Sequence, residues 1–398
     1  MATNVSVAGA QHQIVNLPFN TAANAAVAQT LLAGLYSAYA SNSLDVITAS
    51  GGGTPTGTTE FFVDTTSATV PAGAQYAAVA PTVSGAVSIT GGTNSFTLVT
   101  GSTTNVSFTG GASGSVTVAS GGGSDTLGSS SSSTNYAFID GSASLTSGNW
   151  VAVGEGGDTI ASGSGATSVV FAAGSGSEYL GGAGAAVVLD LGSSDSVFGG
   201  SGAETVFAAG KGLSDVEGTG NLTFVATVPG GGTASDSVFA SASSGTATMF
   251  GSAGTSISFT GPTSNNLFVA GAGNETLSAA TATGNNIFFG GSGADSLQGG
   301  TGNTNDFFIA GTGSATMSGG TGIDQYVFVS GHAGGTDLIT NWASDPNDQL
   351  YLVGYGGNGI SSEAVSGGSL LVTLTDGTKI TFQGQTSTLN SNQVHNLS

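Results

Sequence analysis

The sequence predicts an all-β fold, a right-handed parallel β-solenoid with a short helical segment near the amino terminus and a β-rich cap near the carboxyl terminus. Three observations predict it: a repeat of about twenty residues, glycine pairs between the repeats, and short runs of β-branched and aromatic residues within them. Glycine supplies 70 of the 398 residues and only 6% are charged, but 20 phenylalanines argue against disorder. We therefore expect stacked coils that bury their apolar side chains together.

The clearest repeat lies in the second half of the chain, where apolar triplets begin twenty residues apart. The triplets are Leu267–Val269, Ile287–Phe289 and Phe307–Ile309. Stacked coils would place Phe268, Phe288 and Phe308 in one column, about 4.8 Å apart. A small polar residue precedes each triplet, which predicts a second ladder of hydrogen bonds between side chains of neighbouring coils. These polar residues are Asn266, Asn286 and Asp306.

Shorter spacings occur earlier in the chain. Alternating runs about ten residues apart begin at Val87, and glycine pairs such as Gly91-Gly92 separate them as turns. Between Ala173 and Val216 the unit shortens to near-nonapeptides. Half-coils of nine or ten residues combine into coils of about eighteen to twenty, so all three zones predict one winding chain.

The stretch from Thr21 to Ala40 carries no charge and is predicted to be helical. Its larger apolar residues recur every four positions, which is typical of an amphipathic helix with Asn20 or Thr21 as its cap. These residues are Val27, Leu31, Leu35 and Tyr39. Although the stretch is long enough to invite a transmembrane interpretation, its polar residues and alanines favour a helix that packs against protein.

The charge is one-sided, with 23 acidic residues against Lys211 and Lys379, a net charge of −21 and a pI near 4.1. Nucleic acid and anionic membranes are improbable partners, because phosphate binding needs clustered Lys and Arg. No cysteine is present, so the sequence offers neither disulfides nor thiolate ligands. Cations are the partners that this composition favours.

Two nonapeptides, Gly290–Gln298 and Gly319–Val327, fit the pattern GGxGxDxUx, and near matches at 120–128 and 153–161 lack only the first glycine. In these segments the chain resembles the hemolysin-type, or repeats-in-toxin (RTX), calcium-binding family. The resemblance implies Ca²⁺ held by glycine carbonyls and carboxylates at the turns. The candidate ligands are Asp295, Asp324, Asp125, Asp158, Glu178, Asp195, Glu204 and Glu275. Other repeats carry Ala186, Ser214 or Ala315 at this position, so calcium is expected at a few turns only.

A cation is also expected on physical grounds alone. Glu275 and Asp295 occupy the same place in successive repeats, so stacking would bring their carboxylates about one strand spacing apart. Two such charges repel by roughly 1 to 3.5 kcal/mol, and a shared cation would turn that repulsion into attraction. The alternative is that these carboxylates are solvated turn residues on an exposed edge.

The segment from Asp324 to about Gly384 resembles the carboxyl-terminal part of RTX proteins. The resemblance implies export by type I secretion through an uncleaved carboxyl-terminal signal, and the amino terminus shows no basic region of a cleaved signal peptide. We expect a helix-containing cap or assembly segment over residues 1–82, a solenoid over 83–329, and a cap with the secretion signal over 330–398. The amino-terminal segment is expected to cover one end of the solenoid.

No catalytic constellation is evident. His12, His332 and His395 are far apart, and the sequence contains no HExxH, GxSxG or GxxxxGK motif. Carboxylate pairs on solenoids can hydrolyse or eliminate sugars, but such clefts also need basic residues that are nearly absent here. A non-enzymatic protein is therefore expected.

Two functions fit these features. The first is a secreted, extracellular or cell-surface structural protein, a component of a surface layer, matrix or filament, that self-associates and is stabilised by calcium. The second is a calcium-dependent adhesion or ligand-binding module for a glycan such as a cell-surface polysaccharide, for ice, or for a host surface. An exposed aromatic row on one face would favour the second function, and a self-complementary end or edge would favour the first.

Overall fold

The computed structural model describes residues 3–20, 22–130, 135–140, 149–172, 174–227, 234–240, 244–252, 255–261, 265–302 and 305–397. Over these residues the predicted fold class is confirmed, since stacked parallel sheets form a β-solenoid of about 13 turns. The chain divides into two compact units, residues 1–204 and 205–398, which are described in turn.

In each unit successive strands alternate between two parallel sheets, sheet I and sheet II, so that each coil adds one strand to each. In the first unit, sheet I comprises β3 (Leu44–Thr48), β4 (Thr58–Val63), β6 (Tyr76–Val79), β8 (Phe96–Thr100), β10 (Val116–Ser120), β12 (Tyr136–Ile139), β14 (Thr159–Ala161), β16 (Glu178–Leu180) and β18 (Ser196–Phe198). Sheet II comprises β5 (Ser67–Thr69), β7 (Ala86–Thr90), β9 (Asn105–Thr109), β11 (Thr126–Gly128), β13 (Asn149–Gly154), β15 (Ala166–Phe171) and β17 (Ala186–Asp190). The strand β19 (Glu204–Ala208) begins at the last residue of the first unit.

The second unit continues the same alternation. Its sheet I comprises β20 (Ser214–Val216), β22 (Ala234–Phe239), β24 (Thr255–Thr260), β26 (Thr276–Ser278), β28 (Ala294–Gln298), β30 (Ser314–Ser318) and β32 (Thr336–Ile339). Its sheet II comprises β21 (Leu222–Ala226), β23 (Ala247–Phe250), β25 (Asn266–Val269), β27 (Ile287–Phe289), β29 (Phe307–Ile309), β31 (Gln325–Val329), β33 (Gln349–Val353) and β37 (Val394–Leu397). An antiparallel cap of β34 (Ile360–Ser366), β35 (Ser369–Leu374) and β36 (Lys379–Phe382) joins sheet I, where β36 pairs with β32.

Parallel pairing begins at β3, well before residue 83, and continues through β37, beyond residue 329. The regular ten-residue spacing of alternating runs begins only at Val87, which is why the sequence pattern places the start of the solenoid too late. The last coils carry long insertions between strands, and these hide the repeat.

The predicted aromatic column is present. The ring centroids of Phe268 and Phe288 lie 4.8 Å apart and those of Phe288 and Phe308 lie 4.7 Å apart, and both pairs are stacked. Tyr326 extends the stack at 5.2 Å, and the buried Trp342 packs against Tyr326. The core of the second unit is therefore continuous from the repeats into the cap.

The amino-terminal segment differs from its predicted form. A hairpin, β1 (Thr3–Ala8) and β2 (Ile14–Phe19), precedes two short helices, α1 (Ala22–Leu31) and α2 (Ala33–Ala40), in place of one long helix. The helices bury mainly small residues, which let them approach the sheet closely, whereas the predicted contacts Val27 and Tyr39 are 40% and 37% exposed. The predicted cap residue Thr21 lies outside the described residues. No helix among those described has the length and apolar character needed to span a membrane.

This segment packs against the side of the first unit. It covers outward-facing residues that four successive strands of sheet I place in one column, and Pro18 accepts a hydrogen bond from the backbone N–H of Ser102 at 2.7 Å. The covered column consists of Phe62, Ala78, Val99 and Ala119. Because these strands are apolar on both faces, the outward face of sheet I needs a cover here.

Candidate functional site

The predicted calcium ligands point into the solenoid, with one exception. The alternative that they are solvated turn residues on an exposed edge is therefore wrong for the buried ones. The buried members of the set are Asp125, Asp158, Asp195, Glu204, Glu275, Asp295 and Asp324, each at most 5% exposed. Glu178 is the exception, because it is half-buried within β16.

The register explains why Glu178 differs. In the ladder between β16 and β18, Glu178 pairs with Ser196, so Ser177 lies opposite Asp195. The predicted equivalence of Glu178 with Asp195 is thus one residue out of register, and a shift of one residue turns a side chain to the other face of a strand. By contrast, Glu275 and Asp295 are stacked as predicted, one position before the paired residues Thr276 and Ser296.

The buried aspartates share one local geometry. Each lies at an inward position where a strand begins, and one carboxylate oxygen accepts the backbone N–H of the residue stacked one coil earlier. The bonds are Val106 to Asp125 (2.7 Å), Tyr136 to Asp158 (2.7 Å), Ser177 to Asp195 (2.7 Å), Glu275 to Asp295 (3.1 Å) and Asp306 to Asp324 (2.9 Å). Aspartate thus extends the hydrogen bonding of the parallel ladder into the corner of the coil.

The second carboxylate oxygen separates these aspartates into two groups. In Asp295 it accepts the backbone N–H of Gly291 at 2.8 Å, and in Asp158 it accepts that of Glu155 at 2.9 Å. Asp125 accepts the hydroxyl of Ser120 in the same way. In Asp195 and Asp324 the second oxygen is buried and has no hydrogen-bond donor among the described residues. A buried carboxylate oxygen without a donor is unfavourable, so these two sites need a proton or a cation.

Asp324 belongs to a polar column along sheet II of the second unit, which confirms the ladder predicted from the asparagines. The amide of Asn266 donates to the side-chain oxygen of Asn286 at 2.8 Å, and the amide of Asn286 donates to Asp306 at 2.8 Å. The backbone N–H groups of Asp306 and Asp324 then donate to the carboxylates of Asp324 and Asp348, at 2.9 Å and 3.0 Å. The column therefore ends in three aspartates on successive coils, all buried.

Asp348 is not among the ligands predicted from the nine-residue motif, because an insertion separates it from the repeats. A usable signal was present, since Asp324-Gln325 and Asp348-Gln349 begin two successive strands with the same dipeptide. The Oδ2 atom of Asp348, like that of Asp324, is buried and has no donor within the described ranges.

Burial and like charge raise the pKa values of this column. The pKa of Asp324 is raised to about 7, first by burial and then by the charges of Asp306 and Asp345. The pKa of Asp348 is raised to about 8 by burial and by the charges of Asp324 and Asp345. The ionised form is disfavoured because each carboxylate faces another instead of a cation.

The glycine at the start of the motif is required by the close approach of the carboxylate. A Cβ atom built on Gly319 would lie 1.9 Å from Oδ2 of Asp324, and one on Gly299 would lie 2.3 Å from Oδ2 of Asp306. No side chain fits at these distances. The motif therefore places a carboxylate directly against the backbone of its own turn.

A second carboxylate pair lies in the first unit, where one turn joins Asp190 and Asp195. Asp190 accepts the backbone N–H of Gly192 at 2.9 Å through Oδ1, while its buried Oδ2 has no donor among the described residues. The pKa of Asp195 is raised to about 7, first by burial and then by the neighbouring carboxyl of Asp190. Sequence reasoning missed Asp190 because it ends an apolar strand, where the nine-residue pattern expects no acid.

Asp215 was also missed, and its position is unusual. It pairs with Val238 in sheet I of the second unit, at an inward position in a column of apolar residues. Both carboxylate oxygens are buried without a donor in the described part of the chain, and burial followed by the charge of Glu217 raises its pKa well above the usual value. Asp215 is thus an acid inside the hydrophobic core.

Three of these places have the donor set that a hard cation prefers, carboxylate oxygens that no donor among the described residues satisfies. They are the column around Asp324 and Asp348, the turn of Asp190 and Asp195, and Asp215 beside the buried Glu217. Asp125, Asp158 and Asp295 do not need a cation, because protein donors satisfy both of their oxygens. Comparison with known proteins adds nothing to this assignment, since no family model and no curated protein matches the chain.

Proposed function

We propose that this protein is a calcium-stabilised β-solenoid with an extracellular structural role, as a self-associating component of a surface layer, matrix or filament. The supporting observation is the aspartate column that ends in Asp324 and Asp348, whose buried Oδ2 atoms have no donor among the described residues. Secretion through a carboxyl-terminal signal is part of the same proposal and follows from the resemblance to RTX proteins.

Calcium would supply the positive charge that the column lacks. Asp324 and Asp348 would hold it in the second unit, and Asp190 with Asp195 would hold it in the first. Asp306 is not needed as a ligand, because backbone N–H groups of Asn286 and Gly300 already donate to its two oxygens. Calcium accepts several oxygen ligands in a flexible geometry, so it suits a site assembled from stacked turns. The carboxylates are already oriented by the protein, because a backbone N–H group donates a hydrogen bond to the Oδ1 atom of each one.

A melting experiment with Asp324→Asn tests the metal. Calcium should raise the melting temperature of the wild type, since it binds the folded state and not the unfolded one. The variant should lose most of this increase, because an amide offers one neutral oxygen in place of a carboxylate. Circular dichroism melts with calcium, with magnesium and with chelator measure the effect.

Asp295→Asn is the matched control. It changes the same residue type at the same motif position, but both oxygens of Asp295 already accept backbone N–H groups. This variant should melt lower with and without calcium, by about 1–3 kcal/mol of stability, and keep the calcium increment. A wild-type melting temperature that calcium leaves unchanged would overturn the calcium proposal. If both variants lost the calcium-dependent increase equally, Asp324 would not be the specific ligand.

The assembly part of the proposal is tested by electron microscopy of the purified protein with calcium. Ordered sheets or fibres are expected at high protein concentration. Particles that stay single under all conditions would argue for the alternative, a calcium-dependent adhesion module.

One observation favours that alternative, an exposed row of apolar residues that includes Phe250 and Phe289 on sheet II of the second unit. A glycan platform, however, also needs polar groups that hydrogen-bond the sugar, and the outward positions of this row are aliphatic or phenylalanine. Binding to a polysaccharide array would show whether the row recognises sugar.

A further inference from the structure

One face of the second unit is apolar where it meets solvent. On four successive strands of sheet II, from β23 to β29, every outward position except Thr248 carries a large apolar side chain, and these side chains form two columns that we call the apolar face. The apolar face consists of Phe250, Leu267, Val269, Ile287, Phe289, Phe307 and Ile309. Phe250, Ile287 and Phe289 are 39%, 41% and 38% exposed.

Sheet I of the same coils provides the comparison. The outward residues of β26, β28 and β30 include Thr276, Ser296 and Thr316, which lie in one register and are exposed. Strands with one buried face are expected to alternate in this way, whereas continuous apolar runs are typical of parallel strands buried on both faces. The triplets Ile287–Phe289 and Phe307–Ile309 are of the second kind, although only one of their faces is buried within the chain.

The first unit shows what such a pattern requires. There the outward apolar column that contains Phe62 and Val99 is covered by the amino-terminal hairpin and helices. The apolar face of the second unit has the same strand pattern and is exposed. The chain therefore covers one outward apolar column itself and leaves others exposed, among them the stacked Leu180 and Phe198 of the first unit and the more extensive apolar face of the second.

A second copy of the chain is the partner that fits best. None of the seven residues of the apolar face is charged, while the chain carries −21, so this is a surface where two copies can approach with little repulsion. The columns repeat once per coil, and the ring centroids of the inner phenylalanines show a rise of 4.7–4.8 Å per coil. The same face on a second copy repeats with the same rise. Contacts between two copies can thus recur on every coil of the face.

The area indicates how strong the contact is. Three of the seven residues are about two-fifths exposed and the other four are less exposed, so at roughly 200 Å² for a fully exposed side chain the face offers on the order of 400 Å² per copy. Two copies would bury about 800 Å² of apolar surface and some polar rim, which is at the low end of specific interfaces. The expected dimer is reversible and depends on concentration.

We propose that the apolar face is a homotypic docking surface, on which sheet II of one copy packs face to face on sheet II of another. This proposal rests on the proposed structural role, to which it adds a lateral contact between copies. It does not involve the calcium ligands. Sheets packed in this way lie about 10 Å apart, with interdigitated side chains.

Cysteine cross-linking tests the geometry, because the chain has no cysteine of its own. Phe289→Cys places one thiol near the middle of the apolar face, and Ser296→Cys places one on the outward face of sheet I in the same part of the unit. A short bis-maleimide should join Phe289→Cys into dimers and leave Ser296→Cys largely monomeric. Equal cross-linking of both variants, or of neither, would overturn the proposal.

Sedimentation velocity of a polar variant, Ile287→Thr with Phe289→Thr, gives an independent measurement. The wild type should shift from monomer to dimer as concentration rises, and the variant should stay monomeric with an unchanged circular dichroism spectrum, because threonine also suits a strand. A folded variant that dimerises like the wild type would overturn the proposal, as would a wild type that stays monomeric. Neither outcome affects the calcium-dependent melt, so the two proposals fail separately.

Discussion

At the scale of single residues, the buried aspartates at the strand starts differ in one atom. One carboxylate oxygen always accepts a backbone N–H group, whereas the second oxygen has a hydrogen-bond donor in some of them only. Asp295 and Asp324 occupy the same position of the same nine-residue motif, yet within the described part of the chain only Asp295 has donors for both oxygens. The motif thus predicts the position of a carboxylate and not its need for a cation. That need is decided in the turn itself, where the backbone N–H of Gly291 reaches the second oxygen of Asp295 and no donor among the described residues reaches that of Asp324.

Asp215 provides a prediction at this scale. Replacing it by valine, the residue that pairs with it as Val238, should stabilise the metal-free protein by about 1–3 kcal/mol, because it removes a buried polar group without a donor among the described residues. Chemical denaturation in the presence of chelator measures the change in the free energy of unfolding.

Asp125→Val is the control for this change. Asp125 is as deeply buried, but it accepts hydrogen bonds from Val106 and Ser120, and its removal should cost about 1–3 kcal/mol. If Asp215→Val were destabilising as well, the carboxyl would have a role in the core that its surroundings do not reveal.

At the scale of strands and columns, much of the fold could be predicted from the sequence. A period of twenty residues fixes which side chains stack, so the column of Phe268, Phe288 and Phe308 and the ladder from Asn266 followed directly. The period also predicted the stacking of Glu275 on Asp295.

Other elements could not be predicted, for physical reasons. Near-nonapeptides of variable length leave the register uncertain by one residue, which misplaced Glu178. The packing of the amino-terminal helices depends on small residues such as Ala25 and Ala28, which carry little periodic signal. Asp348 follows an insertion, so only the folded coils bring it beside Asp324. Asp190 ends a strand, where the nine-residue motif expects no acid.

At the scale of the whole molecule, the protein buries many acids and has two lysines, so its stability must depend on protons and cations. Burial raises the pKa to about 7 in Asp125, Asp195, Asp324 and Asp337, and to about 8 in Glu60 and Asp348. Since an unfolded chain releases these protons near pH 4, the folded state holds more protons than the unfolded state from about pH 4 to pH 8. Its free energy of unfolding therefore falls as the pH rises through this window.

The most direct test of the account is the melting temperature as a function of pH, measured with calcium and with chelator. Without metal, the melting temperature should fall continuously from pH 5 to pH 8, as the buried carboxyls lose their protons. Calcium should restore stability near pH 8 and have little effect near pH 5, where protons occupy the same oxygens. A metal-free protein that becomes more stable between pH 5 and pH 8, or a melt at pH 8 that calcium leaves unchanged, would contradict the account.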